Sequence, residues 1–146
     1  PDVLNVQLMR FVYDAKTYSK RKVKDALPIP AELDFASFGD ILSPSLRAKI
    51  EAAEADDRDR YRYRLSAVLN HKGQSANSGH YTADVNDRFR DSWWTCDDTT
   101  ITKGEHPASR PASRNAYMLV YEKVRPSKVV EASSAFPIEL PPRLTE

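Results

Sequence analysis

The chain has 146 residues, single-domain size and enough to bury a core, and its 22 Lys+Arg against 21 Asp+Glu leave a net charge of +1. That balance lacks the basic excess of a fold-wide nucleic-acid surface, and no apolar run approaches the roughly 18 residues of a membrane span. With one cysteine, Cys96, neither an internal disulfide nor a thiolate zinc cluster can form, which points to a reducing, intracellular setting in cytoplasm or nucleus.

The apolar pattern starts at Val3, directly after Pro1, with no signal-peptide series before it, so the chain reads as part of something longer. From Leu4 to Tyr13, Leu4, Val6 and Leu8 alternate with Asn5 and Gln7, the period of a half-buried strand. Lys16, Lys20, Arg21, Lys22 and Lys24 follow, a solvated turn or a patch for an acidic partner. Pro28 and Pro30 bar a helix, and residues 32–38 read as extended or irregular. Ser43 as a cap, Pro44 in the first turn and the alanines that follow predict a surface helix running to Ala55, with a solvated charge run behind it.

Tyr61, Tyr63, Leu65, Ala67 and Leu69 alternate along a further predicted strand. A loop bracketed by Gly73 and Gly79 leads into His80–Val85, a turn near Arg88 and Phe89, and Ser92–Asp97. Ala116–Tyr121 is a short buried strand, and the prolines from Pro126 onward mark a flexible tail. The pattern holds no internal repeat. The sum is a mostly antiparallel α+β protein with one helix.

Chemistry concentrates at His80, Asp97 and Asp98. A turn centred between Arg88 and Phe89 sets His80 directly opposite Asp97, within reach of one hydrogen bond. A carboxylate on one ring nitrogen leaves the other free to take a proton; taken alone, such a pair is more often a satisfied surface contact. Cys96 neighbours Asp97 on one strand, so the two side chains point to opposite faces, and no adjoining basic residue lowers its pKa. It is expected to be buried and inert. His71, His80, Cys96 and Asp97 lack the short spacings of zinc motifs, and no metal or cofactor is expected. Trp93, Trp94, Tyr117 and Tyr121 are expected to serve packing.

Four stretches, in order, resemble the ubiquitin-specific proteases, papain-like ubiquitin carboxyl-terminal hydrolases. Leu4-Asn-Val-Gln-Leu-Met-Arg-Phe11 is similar to the family strand L-x-[IVL]-x-L-x-R-F, and residues 63–83 to its His box. Trp93-Trp-Thr-Cys-Asp-Asp98 resembles W-x-x-[FY]-[ND]-D, and Ala116-Tyr-Met-Leu-Val-Tyr121 resembles the final A-Y-x-L-x-Y strand. The wording of the first element is nearest the forty-eight-type member. The resemblance implies a papain-like fold, with His80 as general base, Asp97 orienting it and Asp98 supporting the site. It also implies a mobile loop over 73–79, and a channel for the ubiquitin Gly-Gly terminus lined by Ser78, Gly79 and Tyr81.

Nothing here is similar to the family's Cys box or its Cys-x-x-Cys fingers, and Cys96 stands at the Phe/Tyr position of the tryptophan element. Residues 1–122 are therefore expected to be the C-terminal part of a catalytic domain, with 43–60 an insertion and 123–146 a tail. The expected partners are ubiquitin, ubiquitinated proteins and the missing N-terminal half, without membrane or nucleic acid. The expected activity is Cys-His-Asp deubiquitination, absent from the chain alone; the alternative is a non-catalytic ubiquitin-binding scaffold.

Overall fold

The computed structural model describes residues 1–38, 42–54, 59–73, 75 and 78–124. The strands are β1 (Val3–Gln7), β2 (Phe11–Asp14), β3 (Ser19–Lys22), β4 (Glu32–Asp34), β5 (Arg62–Lys72), β6 (His80–Asp87), β7 (Ser92–Asp97), β8 (Thr100–Gly104) and β9 (Ala116–Lys123), with one helix, α1 (Pro44–Glu51). Seven strands form an antiparallel sheet in the order β1-β9-β5-β6-β7-β8, with β4 on the start of β5. β2 and β3 form a separate hairpin. The charge run at 55–58 and the tail beyond Val124 lie outside the described residues.

The strand expected over Leu4–Tyr13 is in fact two. β1 ends at Gln7, and the Arg10 N–H donates to Leu8 O at 2.7 Å, a tight reversal that leaves Met9 exposed. Arg10 itself is buried, and its guanidinium donates to the carbonyls of Ala116, Val23, Asp25 and Ser113. Five donors in a rigid fork can gather carbonyls from separate segments, which favours the turn over a continuous strand.

β5 departs from simple alternation too. Its register on β9 shifts between Leu65 and Ala67, so Ser66 is an extra residue whose hydroxyl donates to Val120 O at 3.2 Å. One inserted residue reverses which face the following side chains occupy. Tyr63 and Leu65 therefore share the core with Val68, and not with Ala67 and Leu69 as strict alternation predicts. A second shift leaves Tyr117 unpaired on β9.

The core gathers Tyr63, Leu65, Val68, Leu119 and Tyr121, with Leu4 and Val6 from β1 and Leu33 and Phe35 packed against them. The buried Tyr121 hydroxyl donates to Pro30 O at 2.9 Å, and burial pushes its pKa up to about 12. α1 is capped by the Ser43 hydroxyl, which accepts from Leu46 N, and it has Pro44 in its first turn, as expected. It stops at Glu51, short of Ala55; Ile50 is its buried residue, and no apolar stripe continues beyond to bury a further turn.

Truncating Leu65 to alanine in this close-packed centre is expected to cost about 2–5 kcal/mol in chemical denaturation. Phe89→Ser, at a fully exposed hairpin tip, should shift stability by less than about 0.5 kcal/mol.

Candidate functional site

The β6–β7 hairpin carries the site. Its ladder runs from Asp87↔Ser92 to Ala83↔Cys96, so the turn spans residues 88–91 and is centred between Phe89 and Arg90. Asp87 holds it there: its carboxylate accepts from the Phe89 N–H at 3.0 Å and from Arg90 at 3.1 Å. This corrects the expected register, in which His80 lies directly across from Asp97. Moving the turn centre by one residue moves each partner by two, and a shift of two preserves the face. His80 and Asp97 are diagonal neighbours on one face, and the imidazole is long enough to close the gap.

His80 Nε2 is hydrogen-bonded to Asp97 Oδ1. The second carboxylate oxygen accepts from Lys72 Nζ at 3.3 Å, and Lys72 lies directly opposite His80 on β5. The His80 hydrogen bond holds the Asp97 carboxyl below the usual carboxylate range against the opposing effect of burial, with Lys72 adding to the lowering in a lesser degree. Among the described residues nothing bonds His80 Nδ1. Asp98 starts the two-residue β7–β8 turn in the left-handed region, φ 50°, which keeps its side chain beside the pair. Ligand atoms of His80, Asp97 and Asp98 lie within 4.8 Å of one another. The trio could in principle approach a cation, but both Asp97 oxygens are engaged by His80 and Lys72, an arrangement suited to proton transfer.

The segment before His80 is tightly folded back. A Cβ on Gly79 would fall onto the His71 ring and lie 2.7 Å from Lys72 O; one on Gly73, φ 152°, would lie 2.7 Å from Ser78 O and 2.9 Å from Gly79 Cα. Both brackets of this loop need glycine because backbone passes too close for a side chain. Ser78 is exposed and its hydroxyl meets that of Ser75 at 3.0 Å; residues 74, 76 and 77 of the expected mobile loop lie outside the described residues. Tyr81 is half exposed and its ring sits 4.8 Å from that of buried His71, which Phe11 meets edge-on at 5.1 Å. Tyr117 reaches both Phe11 and Tyr81 because the β9 irregularity frees it from the ladder.

Phe11, His71, Lys72 and Tyr117 lie within the family-like stretches, but nothing in their spacing singles them out as site residues. Lys72 is legible only once β5 and β6 are aligned, and the aromatic group only once the bulges are known. Cys96 is half-buried and not fully buried as expected; it lies opposite Ala83 and Ile101, on the other face from Asp97. Trp93 packs in the core as expected, 4.8 Å from the His106 ring.

The family model described as ubiquitin carboxyl-terminal hydrolase matches residues 1–121. Ubiquitin carboxyl-terminal hydrolase 26 of Oryza sativa subsp. japonica is 40% identical over 108 residues, covering 73% of this chain and 9% of that protein. Ubiquitin carboxyl-terminal hydrolase 48 of Danio rerio is 34% identical, covering 84% of this chain and 13% of its own length. Number 10 of Mus musculus is 35% identical, covering 85% and 15%. The chain thus spans 9% to 15% of the length of these relatives. A solved yeast SAGA DUB module with a Sgf73 mutant superimposes with TM-score 0.61 at 22% identity, covering 86% of this chain and 25% of that one. The SAGA Ubp8/Sgf11/Sus1/Sgf73 DUB module gives 0.60 at 22% identity, covering 86% and 24%. Over that quarter of their length the chain shares their fold, the mainly antiparallel sheet of the papain-like architecture.

Burial lowers the pKa of His71, with the nearby Lys22 charge adding to it, and burial chiefly lowers that of His106. A histidine depressed in the fold binds fewer protons than in the unfolded chain, so its contribution is full above the ordinary histidine value and is lost as pH falls through the folded one. The denaturation midpoint should therefore drop between about pH 7 and about pH 5, and drop less in His71→Gln. Urea melts across that window check it.

Proposed function

The chain belongs to the ubiquitin carboxyl-terminal hydrolase family, and from that premise we propose that it supplies the base half of a cysteine-type deubiquitinase. The nucleophilic cysteine in this reading lies outside the chain, and residues 1–122 are the C-terminal part of the catalytic domain. The observation that carries the reading is the His80–Asp97 hydrogen bond through Nε2, with nothing bonded to Nδ1 on the other side of the ring among the described residues.

A thiol placed at Nδ1 would lose its proton to His80. The thiolate would attack the carbonyl of the last ubiquitin glycine, and His80 would return the proton to the leaving amine. Water, deprotonated in turn by His80, would then hydrolyse the thioester. Asp97 keeps the imidazole in one orientation throughout and stabilises its protonated form, as the carboxylate of a triad does. Lys72 holds the second oxygen of that carboxylate. Asp98, beside the pair, is the acidic group that supports the site. Ser78, Gly79 and Tyr81 would line the channel for the ubiquitin terminus; the bare Gly79 backbone, which no side chain can replace, suits a neighbour as slim as a Gly-Gly strand.

Cys96 is no substitute nucleophile, because its side chain leaves the opposite face of β7. The chain alone is therefore inactive, and in this reading the whole enzyme acts on ubiquitinated proteins in cytoplasm or nucleus. The intact trio speaks against a pure scaffold, which needs no oriented base.

The test uses ubiquitin bearing a thiol-reactive electrophile at its C-terminus, read by intact mass. The isolated chain is expected to stay unlabelled, while the complete enzyme is labelled and loses about 10²–10⁴-fold in rate on His80→Ala. Labelling of the isolated chain at Cys96, or an unreactive complete enzyme, would overturn the reading.

A further inference from the structure

The lysines and arginine of the β2–β3 region read as a solvated run, and Lys22 breaks the pattern. It is 7% exposed. Its ammonium donates to His71 O at the end of β5, to Gly73 O at 3.3 Å in the loop, and to Asn115 Oδ1 at 3.2 Å just before β9. Three donors meet three acceptors, and among the described residues no carboxylate pairs with the charge. A buried cation without a counter-ion is expensive to desolvate, and an apolar tether of similar size would cost far less. The hairpin already has one: Phe11, directly opposite Lys22, packs on the His71 ring. What the ammonium adds is direction, three hydrogen bonds converging on one point of the backbone.

That point is the neck of the loop before His80. Gly73 lies against Ser78 and Gly79, Gly79 lies against His71, and Lys72 stands opposite His80. His71 N–H is tied in turn to Asn115 O at 2.8 Å. A displacement at Gly73 thus passes through Gly79 to His80 with no slack residue between.

We propose that Lys22 is a positioning residue for the reaction, clamping the neck formed by His71, Gly73 and Gly79 so that the His80 imidazole is held at its working place on Asp97. This rests on the reading of His80 as the base. The clamp makes the hairpin β2–β3 part of the site's frame, although none of its side chains bonds His80 or Asp97 among the described residues.

The experiment pairs two measurements on Lys22→Met. In the chain itself, hydrogen–deuterium exchange should speed up over residues 73–79 and leave β7 and β9 unchanged, a pattern that general destabilisation would not give. In the complete enzyme, kcat should fall about tenfold or more with KM held within about twofold, the mark of a misplaced reacting group. Should Lys22→Met fail to fold, Asn115→Ala removes one acceptor, keeps the charge, and must show the same pattern in smaller degree. Unchanged loop exchange with unchanged kcat, in an enzyme that His80→Ala still inactivates, overturns the clamp and leaves the base assignment standing. Full activity of His80→Ala overturns the base assignment instead, and loop exchange alone then decides whether the clamp exists.

Discussion

The rest of the molecule depends on the pairing of β5 with its neighbours. It bonds β4, β6 and β9, so its register on each decides what every other strand presents. The extra residue at Ser66 lets one strand serve two purposes. Before it, Tyr63 and Leu65 fill the core; after it, Val68 continues that core while His71 turns to the aromatic group beneath Gly79. Without the bulge, strict alternation would set His71 on the same face as Tyr63 and Leu65 and send Val68 to the other.

The site built at the end of this sheet is a problem in charge placement. Asp97 shares its two oxygens between His80 and Lys72, so its carboxylate is ionised and oriented before any substrate arrives. Behind the pair, His71 is pulled down by burial, and among the described residues Lys22 and Arg10 bond only carbonyl or amide oxygens. Burial also pulls Lys22 down, reinforced by Lys24 and Arg10, so holding it protonated demands the full set of acceptors around it. Two buried cations at one end of a sheet are tolerable only because their donors are so completely used.

Division of labour follows from that geometry. Under the proposed function, the β6–β7 hairpin would hold the base rigidly, and the close-packed backbone at Gly73 and Gly79 would leave room for an extended peptide. In the same proposed function, a thiol from outside this chain would meet Nδ1, the ring nitrogen that is not bonded to Asp97.

Local pattern determined much of this. The alternation at β1, the Ser43-Pro44 helix start, and the placement of His80 and Asp97 on one face of a hairpin were all readable, because each rests on spacing within ten or twenty residues. The motif resemblance marked the same residues without any coordinates. Tertiary structure decided the rest. The turn centre of the hairpin depended on Asp87 bonding back to Phe89 and Arg90, and the face of Val68 on an inserted residue visible only against β9. The break at Met9 came from carbonyls more than a hundred residues away in sequence, and Lys22, one cation in a run of five, was buried by acceptors on β5 and near β9. Spacing specifies which face a side chain takes while the ladder is regular. Bulges and buried cations are set by partners distant in the chain, and no local pattern records them.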